Sequence, residues 1–529
     1  MALKNQVQLI AYPDRLGKNL NELAVFLECR LDGAIGGVHL LPPFPSNGDG
    51  GFSPITHHKV DPAYGHWEDV ERIAGRFDLC LDLVLNHLSD ESAEFKDYLQ
   101  LGNASPHAGL FIDVDALGPI SPDDLSKIHI RKEKEPFRTV RLDDGSERRV
   151  WCTFTEKQID LNYDAPETYA LMEENLRVLT GHGVKLFRLD AFGYTTKEIG
   201  TSCFLVEPKV WRILEWFHDK AGEFGAAVLP EVHDHSSWQY AIADRGMWAY
   251  AFALPPLVLH ALMEGDSRHL KNWLRMCPHQ QVTVLDTHDG IGIIDIGPDT
   301  QDRSNSPGLV SDDELARLVE QIHVNSDGES LEATGAAATN LDLYQVNCTF
   351  YDALGRDDLK YLLCRAIQFF LPGVPQVYYV GLLAGHNDMQ LLARTGIGRD
   401  INRHVYTRTE IDYALERPVV ADLLELIRLR SSHAAFAGKF ELAPSPDDAL
   451  DLRWRNGRQF AHLFVNLATC EYRLEFSLDG ATESFSFRVE AGKPQGPEGA
   501  ADDAAHRRGN VASVERRASA SATSEGNGG

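Results

Sequence analysis

Eight short apolar runs punctuate the chain, at 7–10, 37–41, 81–85, 184–189, 228–232, 248–253, 282–285 and 374–380. Several are apolar at both odd and even positions, the pattern of parallel strands covered on both faces, and each gives way to polar residues. Amphipathic stretches lie between them; 67–77, 166–181, 208–224, 358–371 and 418–431 read as helices. Strand followed by helix, eight times over, predicts a (β/α)8 barrel, the TIM-barrel class of α/β fold.

Two connections are too long for simple loops, 88–165 after the third strand and 290–357 after the seventh. The first holds Asp and Pro clusters and a charged hairpin around Asp143, Asp144 and Gly145. Insertions at the carboxyl ends of barrel strands build the rim of the active site. From Lys439 onward the runs shorten and alternate, at 450–454, 460–465, 472–478 and 484–489, which predicts a small antiparallel β domain. The expected division is a barrel over 1–87 and 166–435, an inserted subdomain over 88–165 and an inserted region over 290–357 within the barrel span. A β domain over 436–494 follows. The Gly-, Ala-, Ser- and Asp-rich stretch 495–529 is expected to be a disordered tail.

Composition changes this picture little. Of 529 residues 43% are hydrophobic and 24% charged, which is ordinary for a globular protein. A net charge of −27 with no basic stripe excludes a nucleic-acid partner. The first residues lack a signal-peptide pattern and no apolar run is long enough to span a bilayer, so a cytoplasmic protein without a membrane partner is expected. The eight cysteines are scattered without a Cys-x-x-Cys pair and read as reduced, buried thiols; neither a zinc site nor a cofactor is expected.

Retaining cleavage of a glycosidic bond requires two carboxyl groups facing each other across it, and a barrel supplies such groups at the carboxyl ends of its strands. The fourth strand ends in Phe187-Arg188-Leu189-Asp190. Arg188 shares a strand face with Asp190, where its charge is expected to keep that carboxyl ionised, as a nucleophile requires. The fifth ends in Pro230-Glu231-Val232-His233, offering Glu231 as general acid and then base. The seventh ends in Thr287-His288-Asp289, offering Asp289 to stabilise positive charge at the sugar ring and His288 to donate to it. The third ends in Asn86-His87. Each has a bland reading as an ion pair, cap or solvated residue, but four such readings at one barrel face must hold together.

This order of motifs resembles the conserved regions of the α-amylase clan. More specifically it is similar to the sucrose phosphorylase family, through Gly200-Thr201-Ser202-Cys203-Phe204, Phe252-Ala253-Leu254-Pro255-Pro256, Asn340-Leu341-Asp342-Leu343-Tyr344-Gln345 and Gly398-Arg399-Asp400-Ile401-Asn402-Arg403. The resemblance implies Asp190 as nucleophile, Glu231 as acid/base and Asp289 as transition-state stabiliser. It implies that Asp49 and Arg399 together hold the far glucose hydroxyls. His87, Arg188 and His288 complete the glucose site, with Phe52 and Phe154 as its apolar platform. Tyr194, His233 and the loop residues Leu341, Asp342, Tyr344 and Gln345 join the substrate-binding set.

The implied activity is transfer of glucose from sucrose, or a similar small glucoside, to phosphate, giving α-glucose 1-phosphate by double displacement. The acceptor stretch departs from the sucrose-type pattern: His129 and Glu133 stand where Tyr and Pro are usual, although the cations Arg131 and Lys132 remain. 2-O-α-Glucosylglycerol is therefore the rival donor, followed by glucosylglycerate and sucrose 6′-phosphate. A sucrose hydrolase or transglucosylase and a non-catalytic barrel are the further alternatives. Dimers are common in that family, which admits a homodimer without the sequence specifying one.

Overall fold

In a computed structural model of the chain, residues 3–129, 135–299, 302, 305–334, 345–478, 481–487 and 517–518 are described. Eight strands form one sheet: β1 (Gln8–Ala11), β2 (Gly37–Leu40), β3 (Asp78–Val84), β4 (Val184–Asp190), β5 (Ala227–Pro230), β6 (Ala249–Tyr250), β7 (Gln281–Thr283) and β8 (Val374–Tyr378). Their order is β6-β7-β8-β1-β2-β3-β4-β5, and every neighbouring pair is parallel. The remaining seam, between β5 and β6, is joined where the Trp248 N–H donates to the Val228 carbonyl at 3.3 Å. The sheet thus closes into the (β/α)8 barrel that the alternating pattern predicts.

The two shortest strands are β6 and β7. Ala251 N–H still donates to the Val282 carbonyl at 2.9 Å, but the helix Leu254–Glu264 starts three residues later with two prolines in its first turn and draws the chain out of the sheet. At the opposite end of the barrel polar side chains pair inside: Gln376 Nε2 donates to Gln8 Oε1 at 2.9 Å, and Gln368 Nε2 donates to the carbonyls of Thr283 and Gln376. Gly37 is required there, because a Cβ would lie 2.8 Å from Gln8 Cγ and 2.9 Å from the Asp78 carbonyl.

Helices start where their capping chemistry places them. Pro166 opens Pro166–Gly181 and Pro418 opens Pro418–Ser432. Ser311 and Glu314 form a capping box at the start of Asp312–Asn325. After β3 the chain makes a short ladder, His87–Ser89 with Gln158–Asp160, and the hairpin Phe137–Arg141 with Glu147–Trp151, which falls at the charged turn noted in the sequence. After β7, Ile291–Gly292 pairs with Gln345–Val346 around helices Asp312–Asn325 and Glu329–Thr334.

Beyond the barrel, β9 (Lys439–Leu442), β10 (Ala449–Asn456), β11 (Gln459–Asn466), β12 (Glu471–Leu478) and β13 (Ala481–Phe487) form an antiparallel meander, with Arg517–Ala518 paired to β13. Most of the expected tail, 495–529, lies outside the described residues. Trp454 of β10 donates from Nε1 to the Phe370 carbonyl at 2.7 Å, anchoring this sheet to the barrel helix Asp358–Phe370. Among the described residues no helix is long and apolar enough to cross a membrane.

Candidate active site

At the carboxyl end of the barrel the Arg188 guanidinium forms the hub. One nitrogen lies 2.6 Å from Asp82 Oδ1 and 2.8 Å from Asp190 Oδ1; the other lies 2.7 Å from Glu231 Oε1 and 3.9 Å from Asp289 Oδ2. Residues that the sequence analysis placed at three strand ends therefore meet around one cation. Asp190 and Glu231 accept from the two nitrogens of one planar fork, so their carboxyl groups stand side by side. Two carboxyl groups side by side at the cleft suit the retaining mechanism, in which one attacks while the other protonates the leaving oxygen.

The backbone contributes to this placement. Ala191, directly after Asp190, is left-handed (φ 53°, ψ 28°), and its N–H donates to Glu231 Oε2 at 3.1 Å. For an alanine that conformation costs about 1–2 kcal/mol. It turns the N–H onto the carboxyl group of the neighbouring strand.

The electrostatics of Asp190 depart from expectation. Burial, and then the Glu231 carboxylate, push the Asp190 carboxyl well above the usual range, with Arg188 pulling the other way. Arg188 alone was expected to keep it ionised, but this one guanidinium is divided among several carboxylates. At Asp289 the balance is reversed: burial opposes ionisation, yet Arg399 first, with Arg188 and Arg403 beyond it, holds the carboxyl below its usual range.

His87 and His288 shift in the same direction, whereas His233 shifts upward, because Asp295 outweighs the effect of burial on it. Burial pushes both His87 and His288 down, His288 well below its ordinary value. His87 Nε2 lies 2.8 Å from the Phe52 carbonyl and 2.9 Å from Gln158 Nε2, and its Nδ1 lies 3.3 Å from Asn86 Nδ2. His288 stacks on Phe52 with ring centroids 4.7 Å apart and planes 5° apart, and its Nε2 lies 3.5 Å from Asp289 Oδ2. Phe154 packs edge-on to His87 (5.4 Å) and to Tyr194 (5.0 Å). The aromatic wall continues through Phe204 to His129, whose ring stacks on Phe204 at 4.8 Å. His233 stacks on Phe252 at 4.0 Å, with Nε2 at 3.7 Å from Glu231 and Nδ1 at 2.9 Å from Asp295.

Arg399 lies at the site, and the ion pair it makes here is with Asp289, Nη1 to Oδ1 at 2.9 Å. Asp49, its expected partner, sits exposed on the rim with φ 51°. Gln345 Oε1 accepts from the Gly290 N–H at 3.2 Å, next to Asp289. Leu341, Asp342, Tyr344, Arg131 and Lys132 lie outside the described residues.

Sequence reasoning missed Asp82, which is fully buried between Arg188 and His39 (2.9 Å to His39 Nε2) and held below the usual range; burial opposes that shift, and His39 and Arg188 outweigh it. A lone acid within the apolar run of β3 was the available signal. Also missed were Tyr12, one residue past β1, and Arg403, whose Nε donates to the His288 carbonyl at 3.0 Å. Lys197 was missed as well. Its buried ammonium donates to Asn86 Oδ1 at 2.8 Å and lies 2.9 Å from Asp160 Oδ2, and it also donates to the Tyr194 carbonyl.

Glu231, His233 and Asp289 place ligand atoms within 4.8 Å of one another, a spacing compatible with a metal ion. Arg188 and Arg399 already neutralise the two carboxylates, so a further cation meets two guanidinium charges.

A closed barrel carrying a carboxyl pair on one arginine, with a third carboxylate and neutral histidines beside a stacked aromatic floor, defines a barrel of the kind that works on glycosidic bonds with retention. A family model described as the catalytic domain of alpha amylase matches residues 34–228. The chain is 54% identical over 468 residues to a glucosylglycerol phosphorylase of Marinobacter adhaerens, covering 88% of this chain and 95% of that protein. It is 47% identical over 471 residues to a sucrose phosphorylase of Agrobacterium vitis, covering 88% and 96%. The crystal structure of sucrose 6F-phosphate phosphorylase from Thermoanaerobacter thermosaccharolyticum superposes with a TM-score of 0.85 at 39% identity, covering 92% of this chain and 99% of that one. The chain belongs to the sucrose phosphorylase family of the α-amylase clan.

Proposed function

We propose that this enzyme is a retaining α-glucoside phosphorylase that transfers glucose from 2-O-α-glucosylglycerol to phosphate. The carrying observation for the chemistry is Arg188 gripping Asp190 and Glu231 side by side. Asp190 attacks the anomeric carbon and Glu231 protonates the leaving oxygen, giving a β-glucosyl ester on Asp190. Attack requires Asp190 to be ionised, so the proton that burial favours on it must leave before the bond to the anomeric carbon forms. Phosphate then enters from the side the leaving group vacated and attacks the same carbon, with Glu231 as base, giving α-glucose 1-phosphate. Asp289, held ionised by Arg399 and Arg188, lowers the energy of the positive charge that develops on the ring. Arg131 and Lys132 supply the positive charge for the incoming phosphate.

Two observations support glycerol as the leaving group. Identity to a glucosylglycerol phosphorylase is 54%, against 47% to a sucrose phosphorylase. His129, which replaces the usual tyrosine, stacks on Phe204 at the end of the aromatic wall that runs from the glucose floor. Sucrose is the second reading, supported by the near-complete coverage of its phosphorylases.

The test is release of α-glucose 1-phosphate from each glucoside, with and without phosphate. Phosphate-dependent release from glucosylglycerol at a kcat/KM at least tenfold that for sucrose is expected. The reverse ratio would assign sucrose. Free glucose at the same rate without phosphate would make the enzyme a hydrolase.

A further inference from the structure

Three helices meet on the outside of the barrel: Leu254–Glu264, which follows β6; Arg268–Met276; and Asp312–Asn325 of the insertion after β7. Each contributes one side chain to a common point. His260 is buried, 2% exposed, and neither ring nitrogen has a hydrogen-bond partner. Its Nε2 lies 3.6 Å from Glu314 Oε1, too far for a hydrogen bond. His269 Nε2 lies 3.2 Å from the same oxygen, and the two rings are nearly perpendicular, 82° apart. All three ligand atoms lie within 4.8 Å of one another.

The His269 contact also serves as a hydrogen bond, whereas the His260 contact is too long for one, and both separations suit a shared cation. With zinc–nitrogen and zinc–oxygen bonds near 2.0–2.2 Å, the ligand atoms of a tetrahedral site are about 3.3–3.5 Å apart. The observed 3.2 and 3.6 Å bracket that edge. The carboxylate is already oriented: Glu314 Oε2 accepts from Ser311 N–H at 2.8 Å and Ser311 Oγ at 2.7 Å, which leaves Oε1 turned toward the histidines.

We propose that His260, His269 and Glu314 form a binding site for a divalent transition cation, best matched by zinc, with water completing the shell on the side where His269 and Glu314 reach solvent. In the hydrogen-bonded alternative, His269 pairs with Glu314 and both nitrogens of a buried imidazole are left unsatisfied. Because the ligands come from three separate helices, no short sequence motif announces them, and the scattered cysteines pointed away from a metal. The cation would act as a staple and not in the chemistry. It would join a barrel helix to the insertion, and to the helix Arg268–Met276, whose Lys271 donates to the Ser445 and Pro446 carbonyls leading into β10.

The experiment uses the full chain, stripped with chelator and titrated with zinc by calorimetry and with cobalt by visible absorption. One equivalent of zinc with a raised melting midpoint is expected, and cobalt should show the intense bands of four-coordination. His269→Ala and Glu314→Gln, the latter retaining the cap, should each weaken binding at least about tenfold, with kcat within about twofold of the parent. Absence of binding by the parent overturns the site. So does binding that both variants retain, or zinc that inhibits turnover in proportion to its occupancy, since either places the ion at Glu231, His233 and Asp289.

Discussion

The Arg188 guanidinium is shared among Asp82, Asp190 and Glu231, with Asp289 at 3.9 Å also paired to Arg399. Burial, and then the Glu231 carboxylate, raise the Asp190 carboxyl against the pull of Arg188, and the sign of that shift can be tested through stability. A carboxyl raised in the folded state favours folding while protonated, and that contribution is lost as pH rises from the ordinary carboxylate range through the folded value. Asp82, lowered, contributes in the opposite sense: its stabilisation is present above the ordinary carboxylate range and is lost as pH falls through its folded value. Asp190→Asn should therefore abolish turnover yet raise the melting midpoint at pH 7, with the gain shrinking toward about pH 4. A midpoint that falls at pH 7 would show that Arg188 needs this carboxylate more than the cluster suffers from it. The residues legible in advance were those at strand ends, where a charged side chain interrupts an apolar run. Asp82 and Lys197 were not, because a lone acid inside a strand or a lone lysine in a loop reads as solvated until its buried partner is known.

Lys197, in the connection after β4, reaches across to Asp160 in the insertion after β3, so the two rim segments are seamed by one buried ion pair. Its removal leaves the Asp160 carboxylate with only Thr153 to satisfy it. Lys197→Met should cost about 3–5 kcal/mol, whereas Lys197→Met with Asp160→Asn should recover much of that loss. Denaturant melts of the two single variants and the double variant provide the check. Additive losses would mean that the pair is not coupled. The elements themselves were legible: all eight barrel runs and the five named helices stand where the hydrophobic periods put them, and Pro166 and Pro418 mark helix starts. The end of β6 was not legible, because an apolar run entering a Pro-opened helix looks the same as a strand that continues.

At the scale of the molecule, the C-terminal sheet is tied to the barrel through hydrogen bonds that no sequence pattern reveals. Trp454→Phe would leave the buried Phe370 carbonyl unsatisfied, for a loss of about 1–3 kcal/mol. Unfolding should shift accordingly while kcat stays unchanged, because Phe370 leads into the amino end of β8 and the chemistry lies at the carboxyl ends of the strands. An equal loss of kcat would make the sheet part of the catalytic unit.

The closure of the barrel also bears on how the protein is made. β1 pairs on one side with β2 and on the other with β8, and the Gln8–Gln376 side-chain bond across that second seam spans 368 residues. At a synthesis rate of about 5–20 residues per second, β1 waits roughly 20–70 s for the strand that covers its free edge. During that interval an apolar strand with unpaired backbone groups is exposed beside the ribosome, open to a chaperone or to a neighbouring nascent chain. The yield of active enzyme should thus depend on what the cell provides in the minute before release.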